Sequence, residues 1–116
     1  MIRKRDKRET ETRKDMRGGT GEVVIRHYFK KDEVNASCRL CAELIIAPEA
    51  SIGLHEHNDE DELFIIQSGR GIIVDGGKET EIEEGDSILT GKGASHSIRN
   101  TGDVDLVVTA IIMQYH

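Results

Sequence analysis

From residue 22 onward, short apolar-rich runs alternate with polar, glycine-marked breaks, and within the runs the pattern repeats every two residues. Glu22–Lys30 (EVVIRHYFK) is dense in β-branched and aromatic residues and predicts a strand. In Ser37–Ala47 (SCRLCAELIIA) the even positions Cys38, Leu40, Ala42, Leu44 and Ile46 are all apolar, so one face of that strand is expected to be buried. Pro48, the only proline, ends it, because proline brings no N–H to a strand ladder. Further short segments follow at Ile52–His57, Glu62–Ser68, Arg70–Asp75, Glu79–Ile82, Asp86–Thr90, Ser95–Asn100 and Val104–Met113. Turn residues separate them, and Asp75-Gly76-Gly77 between two strands signals a tight hairpin. No segment after residue 20 keeps a 3.6-residue period over ten residues, and no internal repeat is present. Many short strands at this spacing predict an all-β sandwich or barrel.

Length and charge divide this picture in two. The 116 residues suit one domain. Residues 1–17 carry eight basic and four acidic side chains, a net of +4, and the remainder carries eight basic and eighteen acidic ones, a net of −10. Residues 1–19 are therefore expected to be a charged, solvated and partly disordered tail, and residues 20–116 the folded domain. An acidic body repels phosphate backbones, and with aromatics at 3% and no tryptophan a stacking platform for bases is missing, so no nucleic-acid partner is expected. No run of 18 apolar residues exists and the first residues hold no apolar signal segment, so the expected setting is cytoplasmic, with no membrane partner. Cys38 and Cys41 then stay reduced; residues three apart on a strand face opposite sides, so this pair reads as small strand residues rather than a metal or redox site.

The candidate chemistry lies in the histidines. His55 and His57 are two apart on a predicted strand, so both side chains leave the same face. Glu62 opens the next strand after a short acidic loop, and a hairpin there brings it back across from the histidine pair. His96 opens a strand some forty residues later. Three imidazoles and one carboxylate form a borderline-soft donor set suited to divalent Mn, Fe, Ni or Zn, with Co and Cu also admitted by chemistry. Four protein donors leave two positions free on a six-coordinate ion, as a catalytic or ligand-binding metal requires. By alternation, Phe64 and Ile66 face inward with Glu62, and Ile98 with His96, which gives the site an apolar wall. Arg39 has the opposite parity to the apolar face of its strand; it is either solvated or reaches a carboxylate at the mouth. Asp59, Glu60 and Asp61, between the ligands, read as a solvated acidic loop in preference to a source of a proton-transfer group, His27 as structural, and His116 as tail or the start of an expression tag.

Two spacings in this set resemble those of a known family. Gly53, His55, His57, Glu62 and Gly69 fit the first motif of the cupins, H-x-H-x4-E-x6-G. Gly85, Gly91, Gly93, His96 and Asn100 fit the second, G-x5-P-x-G-x2-H-x3-N, with Gly91 standing where that motif has proline. The resemblance spans roughly residues 37–113 and implies a double-stranded β-helix, a jelly-roll barrel of two antiparallel sheets with a metal inside its mouth. It implies His55, His57, Glu62 and His96 as ligands, turns shaped by Gly53, Gly69, Gly85 and Gly93, and an Asn100 that closes a turn or bonds to backbone. In general layout the chain is similar to small, oxalate decarboxylase-like cupins.

Two functions remain open at this stage. One is a metalloenzyme (a dioxygenase, decarboxylase or isomerase) acting on a small anionic carboxylate or sugar acid. The other is a non-catalytic module that binds or senses a metal-anchored small molecule. A structural metal that only pins strands is a third, weaker reading. By resemblance to small cupins a homodimer is expected, with the Glu22–Lys30 strand available to extend a partner's sheet and so protect an exposed edge.

Overall fold

The computed structural model describes residues 1–115; His116, read above as tail, lies outside them. Ten strands form two antiparallel sheets. In chain order they are β1 (Thr10–Lys14), β2 (Glu22–His27), β3 (Cys38–Ile46), β4 (Ser51–Glu56), β5 (Glu60–Ser68), β6 (Arg70–Asp75), β7 (Lys78–Glu83), β8 (Ser87–Gly91), β9 (Ser95–Asn100) and β10 (Leu106–Gln114). The larger sheet has the order β1-β2-β3-β10-β5-β8 and the smaller one β4-β9-β6-β7. All pairings are antiparallel, and the two sheets face each other as a jelly-roll barrel.

The period of two becomes the core directly. Ala42, Leu44 and Ile46 of β3, Phe64 and Ile66 of β5, and Leu106, Val108 and Ala110 of β10 turn to one buried cluster. Ile52, Ile73, Ile82 and Ile98 meet it from the smaller sheet. The Asp75–Lys78 turn joins β6 to β7 with Gly76 at φ 58° and Gly77 at φ 81°, left-handed values that Asp-Gly-Gly supplies at little cost. Asn100 is buried at the end of β9. Its Nδ2 donates to the carbonyls of Ile46 and Val104, both at 2.8 Å, and its Oδ1 accepts the Gly102 N–H at 2.8 Å, so it closes a turn as the motif implies.

Three local expectations change. β5 begins at Glu60, two residues earlier than its apolar run, because Glu60 and Asp61 pair with Gln114 and Met113 of β10. Acidic residues are poor strand formers alone, and a long partner strand overrides that. The charged leader contributes a strand: all five side chains of β1 are exposed, yet its backbone pairs with β2 from Thr10↔Arg26 to Lys14↔Glu22. Its register has no hydrophobic face to announce it. With β1 on one side and β3 on the other, β2 is not an edge, so it is not free to extend a partner's sheet.

Gly53 does not shape a turn; it sits within β4. A methyl group there would fall 2.2 Å from the Arg17 carbonyl oxygen and 2.8 Å from the Gly19 nitrogen, and one on Gly19 would fall 2.2 Å from the Ser51 carbonyl oxygen. The two glycines let the single turn at Met16–Gly18 lie directly on β4, backbone against backbone. Gly53→Ala is therefore expected to destabilise the fold by about 1–3 kcal/mol through overpacking and to free the leader. The expected readout is a lower Tm together with faster tryptic cleavage after Arg13 and Arg17; an unchanged cleavage rate would show that the leader is held by other contacts.

Candidate metal centre

The register of β4 against β9 sets His55 directly across from His96. His57 lies one residue beyond β4, but its backbone still pairs, its N–H donating to the Ala94 carbonyl at 3.0 Å and its carbonyl accepting the Gly93 N–H at 2.9 Å. Glu62 comes from the opposite sheet, on β5 between Thr90 of β8 and Ile112 of β10. Three strands from two sheets thus aim four side chains at one point inside the barrel. The Nε2 atoms of His57 and His96 are 3.0 Å apart, and those of His96 and His55 3.1 Å. A Glu62 oxygen lies 2.8 Å from His57 Nε2, 2.9 Å from His96 Nε2 and 3.9 Å from His55 Nε2. One donor atom from each residue fits within 4.8 Å of the others.

The far side of every ring is engaged. His55 Nδ1 donates to the Gly53 carbonyl at 2.7 Å. His57 Nδ1 faces Glu60 Oε2 at 2.5 Å. His96 Nδ1 is 3.0 Å from the Thr90 hydroxyl, which donates onward to Asp75 Oδ1 at 3.2 Å and so keeps its lone pairs for the imidazole. With each Nδ1 bonded outward, each Nε2 faces the centre, where it donates to Glu62 when protonated and offers a lone pair to a cation when it is not. Phe64 stacks on the His96 ring, 4.8 Å between centroids with planes 10° apart, and fixes its tilt. Three imidazole nitrogens and a carboxylate converging on one point, three of the four residues buried and His55 half-buried, are the donor chemistry of a divalent transition-metal site.

Charge in the cluster follows from this crowding. Burial alone would raise the Glu62 carboxyl, but hydrogen bonds from His55, His57 and His96 outweigh it and hold the group well below the usual carboxylate range. Burial would likewise lower His57, yet Glu62 and Glu60 together raise it above its ordinary 6.5. His96, between two other imidazoles, is lowered, chiefly by burial.

Glu60 was not legible as part of this site. It belongs to the acidic stretch read as solvated, but it is only 7% exposed. Its carboxylate takes both Arg39 Nε and Arg39 Nη2 at 2.8 Å while accepting from His57. The Arg39 hydrogen bonds are the first cause of its lowered pKa. This bidentate pair resolves the open choice for Arg39: it reaches a carboxylate. The available signals were the three-residue step from His57 to Glu60 and the odd parity of Arg39, and neither is specific alone.

The cluster opens into a cavity of about 330 Å3. His55, His57, Glu62, Phe64 and Arg39 are on its wall, with Leu44, Ile52 and Ile112 supplying further apolar surface. Ile66 and Ile98 face the same interior but sit in the core cluster. His27 is half-buried on the rim, 3.6 Å from Glu11. Cys38 and Cys41 are free and half-buried, and burial raises the Cys41 thiol.

This fold recurs in known proteins. Residues 42–112 match the model of the cupin domain. An oxalate-binding protein of Thermotoga maritima is 42% identical over 99 residues, covering 85% of this chain and 82% of that protein. The crystal structure of a predicted oxalate decarboxylase from Thermotoga maritima superposes with a TM-score of 0.94 at 38% identity, covering 98% of this chain and 99% of the other. A cupin-like protein of the same organism, 21% identical with a TM-score of 0.74 over 83% of this chain and 71% of its own, shares the fold. With a match over most of its barrel and relatives spanning nearly its whole length, the chain belongs to the cupin domain family.

Proposed function

We propose that this cupin binds one divalent transition metal ion through Nε2 of His55, His57 and His96 and an oxygen of Glu62, and uses it to hold a small carboxylate anion. The observation that carries this reading is the convergence of three imidazole nitrogens and a buried carboxylate on one point beside a cavity. Mn, Fe, Ni and Zn all suit the donor set. Oxalate is the first anion to try, because a relative of this length and identity is an oxalate-binding protein. When bound, the ion would supply positive charge and two exchangeable positions, which is enough to chelate a carboxylate. The protein supplies the rest: Gly53, Glu60 and Thr90 hold the imidazoles, Arg39 holds Glu60, and Phe64 and Ile52 exclude water from the floor.

A second reading, turnover by a metal-dependent decarboxylase, dioxygenase or isomerase, draws support from the same two open positions. Against it stands the scarcity of free carboxylates: among the described residues those on the cavity wall are Glu62 and Glu11, the first inside the cluster and the second paired at the rim. The two free thiols suit a reducing cytoplasm.

A second copy of the chain is the proposed protein partner. The outer face of the larger sheet carries a row of apolar side chains in direct register, Cys41, Ile111, Leu63 and Leu89, across β3, β10, β5 and β8. Leu89 is 61% exposed. Such a row is self-complementary about a two-fold axis and buries what solvent would otherwise contact.

Elemental analysis of protein purified without added metal or chelator is expected to give close to one equivalent of a single transition metal. Glu62→Ala is expected to lose it, and Glu60→Gln to weaken it by about ten- to a hundred-fold, the usual effect of a lost imidazole partner. Oxalate recovered intact after hours with the loaded protein would favour binding, and its loss turnover; no metal taken up on titration would sink both.

Metal affinity is expected to fall as pH is lowered. The ion needs neutral imidazoles, and His57, raised above 6.5, holds its proton to higher pH than an ordinary histidine. The decline should therefore begin above pH 6.5, and a metal-titration series in which affinity is flat from pH 8 to 5 would contradict the ligand assignment. Light scattering is expected to give twice the chain mass, and Leu89→Lys to shift it towards the monomer; a wild-type monomer would refute the partner.

A further inference from the structure

The cavity has a cationic rim that the metal cluster does not need. Arg13 and Arg17, contributed by the leader, and Lys30 and Lys31, which follow β2, line the same cavity as His55, His57 and Glu62. All four are exposed while His57 and Glu62 are buried and His55 half-buried, so they form the mouth and the cluster the floor. Arg13 pairs with Glu11 at 3.2 Å and Lys30 with Glu9 at 3.0 Å. Arg17 and Lys31 have no ion pair among the described residues. Outside its first seventeen residues the chain carries a net charge of −10, so these cations are concentrated against the general field of the molecule.

The position of Arg17 is also specified by the backbone. Its φ of 55° is left-handed, a conformation a long side chain adopts only when its surroundings require it. The requirement is the Gly19–Gly53 contact, which presses the Arg17 carbonyl onto β4. The Gly53 carbonyl on that strand holds His55 Nδ1. One residue thus carries both the ligand imidazole and the seat of the rim guanidinium, and fixes the one relative to the other. The cavity between floor and rim is about 330 Å3, room for a ligand that reaches from one to the other.

Resting on the metal-anchored reading above, we infer that the rim formed by Arg17 and Lys31, with Arg13 and Lys30, recognises a second anionic group, so that the preferred ligands are small dianionic acids. They chelate at the floor through carboxylate and a neighbouring oxygen and present a distal carboxylate to the mouth. Arg39 does not serve this role, because Glu60 already occupies its guanidinium.

A matched pair of probes tests this: malate, and 2-hydroxybutyrate, which has the same chelating end and chain length with a methyl group in place of the distal carboxylate. Isothermal titration into manganese-loaded full-length protein at low salt is expected to show malate binding at least about tenfold tighter, with the ratio shrinking as salt rises through one Debye length at the rim. In an Arg17→Asn, Lys31→Gln protein the ratio is expected to collapse to within about twofold; asparagine is chosen because it tolerates the left-handed φ. Arg17→Lys should restore part of the preference. Equal affinities for the two acids in the wild type, beside measurable oxalate binding, would overturn the rim and leave the metal-anchored reading standing. A preference that persists in the folded double variant would also overturn it. If the variant does not fold, the wild-type ratio and its salt dependence decide. Failure to take up manganese, or to bind any of the three acids when loaded, would overturn both.

Discussion

Three imidazoles and a carboxylate meet at one end of the barrel's interior, and the barrel is built around keeping them there. Bringing an ionised carboxylate out of solvent is costly unless other groups replace its hydration. For Glu62 the replacements are the three histidines, which hold it ionised in spite of burial. The histidines in turn can face it only because their other nitrogens are satisfied, one by backbone, one by a carboxylate and one by a hydroxyl. Remove any of those and a ring is free to turn away. The cluster is therefore held from outside inward.

That dependence reaches across both sheets. His55 and His96 are partners in the smaller sheet, while Glu62, Glu60, Thr90 and Arg39 belong to the larger one. The polar centre consequently joins the two layers at one end of the barrel, and the apolar cluster of Phe64, Ile66, Leu44 and their neighbours joins them over the rest. Phe64 takes part in both, packed in the core and stacked on His96. The same architecture leaves one cavity whose floor is polar, whose wall is apolar and whose rim is cationic. On the proposed reading, a small anion would meet positive charge at each end and hydrocarbon between, a combination that would select for length as well as charge.

The leader shows how far a segment's role can differ from its composition. As a sequence it is a run of mixed charge with no apolar periodicity, and every side chain of β1 is exposed. It is held by its backbone, through the ladder to β2 and the turn seated on Gly53, and in addition by ion pairs such as Arg3 with Glu33, which holds that carboxyl down at about 2. Backbone contacts of this kind depend on what is absent from the chain, a Cβ at two glycines, rather than on any side chain that could be recognised.

Alternation determined which faces of β3, β5 and β10 are buried, because side chains on a strand alternate by geometry and water removes the apolar set. The two spaced motifs determined the four side chains that converge, since each lies at a strand end whose position is set by nearby turns. Three things were decided only by tertiary structure: that Glu60 leaves the acidic loop to join His57 and Arg39, that β1 closes the sheet outside β2, and that four cations gather at one mouth. Each joins residues distant along the chain or faces with no pattern of their own. The information lies in strand order and register, which a local sequence does not carry.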